Sequence, residues 1–272
     1  AATFSREKNE EVYKKILGKT AEVTEVKKTK KTSQPEGLYD LTDLSRDANQ
    51  RFGFSAKQTL NIMQSLYEHH KVLTYPRTDS RYLTTDVAET LRERVEAIAV
   101  GPYRSFTNTV LKGKITPKKS FVNNQKVSDH HAIIPTEQFV QLDHMTVEER
   151  KIYDLVVRRF IAVLYPPFEY EQTELTVELA GENFAAKGRI VKSAGWREVY
   201  EGQDDDEDDG EDSERQEIRA QKLPDVKRGD RIPKLSVTMT EGKTKPPAPF
   251  NEATLLSAME NPTAYMESKD KA

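Results

Sequence analysis

The sequence predicts a multidomain α+β chain in which a helical domain is inserted into a β-rich one. Helical periodicity and capping residues fill 42–165, and alternation of apolar and polar residues marks the flanks at 20–28 and 173–192. Pro166 and Pro167 close the helical stretch, while Pro246, Pro247 and Pro249 form a stiff linker further on. A chain that leaves a sheet, builds helices and returns to the sheet crosses between two domains twice.

The elements follow in order. Val12, Ile16 and Leu17 share one face of a first helix, stopped at Gly18. Residues 20–28 alternate as a strand that runs into a basic loop at Lys27, Lys28, Lys30 and Lys31. Leu44, Ala48 and Phe52 line a second helix ending at Gly53. Ser55 and Gln58 form a capping box for a third helix, whose apolar stripe is Ala56, Leu60, Met63, Leu66 and Tyr67. Thr84 or Thr85 caps a helix carrying Val87, Leu91, Val95 and Ile98, closed by Gly101 and Pro102. A loose stretch to about 128 follows, with a second basic cluster at Lys112, Lys114, Lys118 and Lys119. Thr146 and Glu149 cap a long helix with Ile152, Leu155, Val156, Arg159, Phe160 and Val163 inward. Strands are expected at 173–179, 183–192, 195–200 and 231–240, and a last helix near Glu252.

Charge and composition exclude several classes. The 272 residues hold no Cys, so there is no disulfide, thiolate metal site or Cys nucleophile. No apolar run approaches the ~18–20 residues of a membrane span, and the start AATFSREKNE has no secretory core. The net charge of −3 is an average over unlike parts. Residues 201–214 contain ten acids and no base, a self-repelling stretch read as a loop. Without it, 35 acids face 42 bases, a net +7. Each lysine cluster reads either as a solvated loop or as a footprint for phosphates.

Chemistry concentrates in two segments. LTYPRTDSRYL (73–83) sets Tyr75 two residues from Arg77 in a stretch stiffened by Pro76. A tyrosine oxygen can attack a phosphodiester where a neighbouring cation stabilises the charge that develops, and the guanidinium fork suits phosphate. The plainer alternative is a tyrosine packed on the helical core with its hydroxyl tied to backbone. SDHHAIIPT (128–136) pairs His130 with His131. Adjacent histidines diverge and H-E-x-x-H is absent, so zinc is not expected. An acid/base or phosphate-contacting imidazole fits, as does a loop histidine bonding a carbonyl. His69 and His70 end a helix, where they complement its dipole. Neither G-x-x-x-x-G-K-[ST] nor G-x-G-x-x-G occurs, so no nucleotide is expected. The D-x-D within 204–209 belongs to a low-complexity run without the rigidity of a metal site.

Taken together, these residues resemble the type IA DNA topoisomerases, in their bacterial topoisomerase III branch. LTYPRTDSRYL resembles the family's active-site tyrosine motif, RFGFSAKQTLNIMQSLYE (51–68) the helix before it, and SDHHAIIPT its histidine motif. RRFIAVLYPPFEYEQTELTV (158–177) and GWREVY (195–200) resemble the return into the sheet. KPPAPFNEATLLSAMENP (245–262) resembles the start of the next domain.

The resemblance implies part of a type IA topoisomerase toroid: a β-rich arch domain with an inserted helical domain carrying the active-site tyrosine. On this basis 1–41 is the first part of the arch, 42–165 the helical domain, 166–245 the second part of the arch with the acidic loop, and 246–272 the start of the base domain. Tyr75 is then the nucleophile that forms a 5′-phosphotyrosyl link to single-stranded DNA. Arg77 stabilises the pentavalent phosphate, Asp79 orients its neighbours, and His130 lies near the scissile phosphate. Thr78, Ser80, Arg81 and His131 join Arg77 as DNA contacts, His131 at a position that is Glu in the topoisomerase I branch. The family's Mg²⁺ belongs to a Toprim domain that nothing here resembles, so this chain is expected to be a central fragment with no metal ligands, inactive alone. The intact enzyme is expected to be an ATP-independent, cytoplasmic monomer with no membrane or nucleotide partner. The alternative is a non-catalytic module that binds single-stranded DNA or docks a partner. A tyrosine recombinase fits less well, because its Arg and His residues precede the nucleophile, whereas the histidine pair here follows Tyr75.

Overall fold

The computed structural model describes residues 5–201, 223–233, 236–243, 246, 248–260 and 262. All but the first residue of the acidic stretch 201–214 lies outside the described residues. The chain divides into two compact units, whose described residues fall in Ala1–Ser33, Phe168–Ala194 and Asp208–Pro247 for the first, and in Gln34–Pro167, Gly195–Glu207 and Ala248–Ala272 for the second.

The first unit is an antiparallel sheet. Helix α1 (Arg6–Ile16), capped by the Ser5 hydroxyl, leads into strand β1 (Ala21–Ser33). β1 pairs with β2 (Phe168–Leu179), which pairs with β3 (Glu182–Ser193), while β4 (Arg231–Ile232) adds two residues to the other edge of β1. Ala180 and Gly181 turn the β2–β3 hairpin, with φ of 52° and 81°. Tight two-residue hairpins need such left-handed values, and glycine adopts them without strain. The buried core is small: Ile16, Ala21 and Leu179, with Val12, Val177, Phe184, Ile232 and Val237 packed around them.

β1 is longer than expected, because the first basic cluster is strand rather than loop. In register, Lys27 faces Glu174, Lys30 faces Glu171 and Thr32 faces Glu169. Opposite charges across a ladder favour pairing, so β2 turns a run of lysines into a strand partner. The strand expected over 231–240 is reduced to Arg231–Ile232, and described residues 236–240 are irregular.

The second unit is helical. α2 (Leu41–Phe52) starts at Asp40, whose carboxylate accepts from the Asp43 N–H at 2.7 Å, and stops at Gly53 with φ 69°. α3 (Ala56–Glu68) starts at Ser55 and buries Thr59, Met63 and Leu66. The expected helix after Thr84 breaks at Thr90 into α4 (Thr85–Glu89) and α5 (Leu91–Ala97). α6 (Arg104–Leu111) arises in the stretch expected to be loose and buries Thr107. In the second basic cluster, Lys118 donates to the Val163 and Tyr165 carbonyls at the end of the next helix, so it serves as a cap.

That helix, α7 (Val147–Leu164), is the centre of the core. Its capping box of Thr146 and Glu149 forms as predicted. Besides the expected stripe it buries Tyr153, Val157, Ile161 and Ala162. The Glu149 carboxylate also accepts from Ser65 at 2.6 Å and meets His70 at 3.3 Å, joining α3 to α7. His70 therefore answers a specific carboxylate and not only the α3 dipole.

Arg159 is buried on α7 and donates to Asp47 and to the Tyr39 hydroxyl, with a further ion pair to Glu36. A buried cation is tolerated only with partners of this kind. Residues Gly195–Tyr200, expected as a strand, form a 3₁₀ helix on α7. Gly195 has φ 50° and sits so close to Pro167 that a Cβ would lie 2.2 Å from its carbonyl oxygen. Trp196 N–H donates to the Pro166 carbonyl, and Val199 is fully buried. α8 (Glu252–Glu260) lies along α2, with its Ala253 N–H bonded to Asn49.

Candidate active site

Two segments distant in sequence are stitched together inside the helical unit. Leu73 pairs with Pro135, and Thr74 N–H donates to the Ile134 carbonyl at 3.0 Å. The Thr74 hydroxyl completes the seam, donating to the Ala132 carbonyl and accepting from Ile134 N–H. Further along, Ala132 N–H donates to the Tyr82 carbonyl at 2.9 Å. Arg94, buried on α5, donates to the Pro135 carbonyl at 2.7 Å and fixes the far end of the histidine segment.

Burial alternates along the tyrosine segment. Pro76, Thr78 and Ser80 point inward, whereas Arg77, Asp79 and Arg81 are exposed. The inward hydroxyls bond to the backbone opposite: Thr78 Oγ1 donates to the His130 carbonyl at 3.0 Å, and Ser80 Oγ to the Lys126 carbonyl at 2.8 Å. Both residues, expected as DNA contacts, are 7% and 5% exposed, and their hydroxyls shape the site.

The Tyr75 ring lies between two others. His130 is stacked on it at 4.3 Å between centroids and a tilt of 38°, and Tyr67 meets it edge-on at 5.6 Å and 82°. The Tyr75 hydroxyl makes no hydrogen bond among the described residues, so the phenol is positioned through its ring while its oxygen stays open. Arg77 and Asp79 are likewise exposed and enter no hydrogen bond or ion pair among the described residues. An uncompensated guanidinium on this segment suits an anionic ligand.

The remaining predicted residues lie apart from that ring stack. Arg81 is held 2.8 Å from both Asp40 and Asp43 at the start of α2. It anchors the segment rather than presenting a free charge. Burial, reinforced by neighbouring Asp40, raises the Asp43 pKa to about 6 against the pull of Arg81 and Arg46. His131 Nδ1 lies 2.8 Å from its neighbour's carbonyl oxygen, at Ala132, and burial lowers the imidazole's pKa. Among the described residues, no group of three or more His, Cys, Asp or Glu converges as metal ligands would.

Tyr67 is the ring neighbour of Tyr75 that periodicity assigned to the core. It is 38% exposed, one residue past buried Leu66. A step of ~100° around the helix from the Met63–Leu66 line already carries it to the edge of the buried stripe.

The antiparallel sheet unit and the helical unit that displays Tyr75 share the fold of the type IA topoisomerases. The fold matches full-length topoisomerase I from Thermotoga maritima with a TM-score of 0.69 and 21% identity, over 99% of this chain and 41% of that one. A family model described as DNA topoisomerase matches residues 1–263, and the chain belongs to that family. DNA topoisomerase 3 of Bacillus cereus is 54% identical over 269 residues, and those of Bacillus licheniformis and Bacillus subtilis are 51% and 50% identical. The chain spans 36% of the length of each of these relatives.

Proposed function

We propose that this chain is the strand-cleaving part of an ATP-independent type IA topoisomerase of the topoisomerase III kind. The supporting observation is the open Tyr75 hydroxyl, its ring held between His130 and Tyr67. In this reading the Tyr75 oxygen attacks a backbone phosphorus of single-stranded DNA. The P–O3′ bond breaks, the phosphate stays on Tyr75 as a 5′-phosphotyrosyl ester, and the 3′ oxygen leaves with a proton. The phenolic proton passes to solvent or to the neighbouring imidazole of His130. Arg77 neutralises charge on the phosphate as it becomes five-coordinate, and Asp79 orients the groups beside it. Attack by the 3′ hydroxyl reverses the step, which conserves the phosphodiester energy and makes ATP unnecessary. Mg²⁺ would help neutralise charge on the phosphate, and among the described residues no cluster of acids would hold it. The sheet unit corresponds to the family's arch domain, and the working enzyme is a monomer.

The test is a hybrid in which this chain replaces the matching segment of the Bacillus subtilis relative. The hybrid should trap a covalent adduct with a single-stranded oligonucleotide, and Tyr75→Phe should abolish it. An adduct that survives Tyr75→Phe overturns the assignment. If the unmutated hybrid binds DNA but forms no adduct, the chain is instead a non-catalytic binding module. Arg77→Ala should lower adduct formation by roughly 10²–10³-fold, the scale for loss of one group that stabilises transition-state charge.

A further inference from the structure

Lys126 is an exposed lysine built in place by neutral groups. Its backbone carbonyl accepts from buried Ser80 at 2.8 Å, which fixes the main chain. Its ammonium donates to the Tyr82 hydroxyl at 3.0 Å and sits 4.6 Å from the centre of that ring. Tyr82 is fixed in turn, because its N–H donates to Ser80 and its carbonyl accepts from Ala132 N–H. A free lysine side chain loses up to ~2 kcal/mol of rotamer entropy when it is ordered. Here Tyr82 has already restricted it.

The partners that hold Lys126 are neutral. Lys15, Lys28, Arg46, Arg81 and Arg94 each face a carboxylate, whereas Lys126 pairs with none among the described residues. The charge is ordered yet uncompensated, and it is exposed. Lys126 also lies on the same loop as His130, four residues from the ring stacked on Tyr75. Four residues span at most ~14 Å, a distance covered by a few nucleotides of a strand.

We propose that Lys126, held by Tyr82, binds a backbone phosphate of the single strand a few nucleotides from the one that Tyr75 attacks. The proposal rests on the reading of Tyr75 as a DNA nucleophile, and it adds a point where the strand is gripped but not cut. Lys126 is in this sense a positioning residue for DNA, and Tyr82 positions Lys126.

The test is fluorescence anisotropy of the 272-residue chain on a labelled single-stranded oligonucleotide across a salt series. Each phosphate contact on a single strand contributes about 0.7 to the slope of log affinity against log salt. Lys126→Gln should lower that slope by about 0.7 and weaken binding roughly five- to tenfold at low salt. Lys126→Arg should restore the slope. Tyr82→Phe, which keeps the ring and frees the ammonium, should weaken binding about two- to threefold with the slope retained, because the charge remains. A purely structural role for Lys126 would change the melting temperature and leave the slope untouched. An unchanged slope in Lys126→Gln, or a chain that binds no single-stranded DNA, overturns the proposal. A Lys126-dependent slope in a chain whose hybrid forms no covalent adduct overturns only the strand-cleavage reading.

Discussion

In the sheet unit, Lys27 and Lys30 of β1 meet Glu174 and Glu171 of β2 in register. In the helical unit, Arg77 meets no acid among the described residues and Lys126 is held by a neutral phenol. The sheet sets opposite charges across its β1–β2 ladder over a small buried cluster of Ile16, Ala21 and Leu179. The helical unit rests on apolar burial around α7 and leaves chosen cations open beside Tyr75. Arg46, Arg81, Arg94, Arg158 and Arg159 of the helical unit each face a carboxylate, so Arg77 and Lys126 stand apart as cations that face none among the described residues.

That contrast predicts a ranking of effects. The largest is Phe160→Ala, which empties a fully buried ring site on α7. It should cost about 3–5 kcal/mol in urea unfolding of the helical unit, and a loss below ~1 kcal/mol would mean that the core is looser than its burial implies. Ser80→Ala comes next. It leaves the Lys126 carbonyl without its donor and should cost about 1–3 kcal/mol, together with weaker single-strand binding because the Lys126 loop is released. A variant as stable as the parent would show that water replaces the bond.

A smaller effect is confined to a pH window. Burial and Asp40 disfavour the charged Asp43 in the folded chain, raising its pKa to about 6 from its ordinary 3.8. The folded chain thus holds a proton that the unfolded chain has lost. Its contribution to stability is complete below the unfolded value and disappears as pH rises through about 6. Asp43→Asn should flatten the fall in melting temperature between pH 4 and 6, read by thermal scans at several pH values. The same steepness in the variant would assign the titration elsewhere. The smallest effect belongs to the sheet. Lys30→Glu sets like charges opposite one another at Glu171 and should cost only about 0.2–1 kcal/mol, shrinking as salt is added.

Local signals explain what was legible. The capping box of Thr146 and Glu149, the Gly53 end of α2, and the alternation in β2 all act within a few residues. The segment Gly195–Tyr200 shows the limit. Trp196, Val199 and Tyr200 have strand-like propensities, but the close approach of Gly195 to Pro167 and the burial of Val199 beside α7 curl it into a 3₁₀ helix. The lysines of β1 show another limit, since nothing local tells that Glu171 and Glu174 lie opposite them.

The sequence by itself determined the family, through the resemblance of its motifs, and most helix ends, because these depend on residue type and short spacing; Tyr75, Arg77, Asp79 and His130 it marked as candidates. Tertiary structure alone decided which of the motif's polar residues face outward. Thr78 and Ser80 turn inward to the carbonyls of His130 and Lys126, which lie 52 and 46 residues away. Every residue carries a backbone carbonyl, so a hydroxyl's choice among them leaves no mark in the sequence. Only the folded seam between the two segments selects it. That selection separates the residues that hold the site from those left open to act.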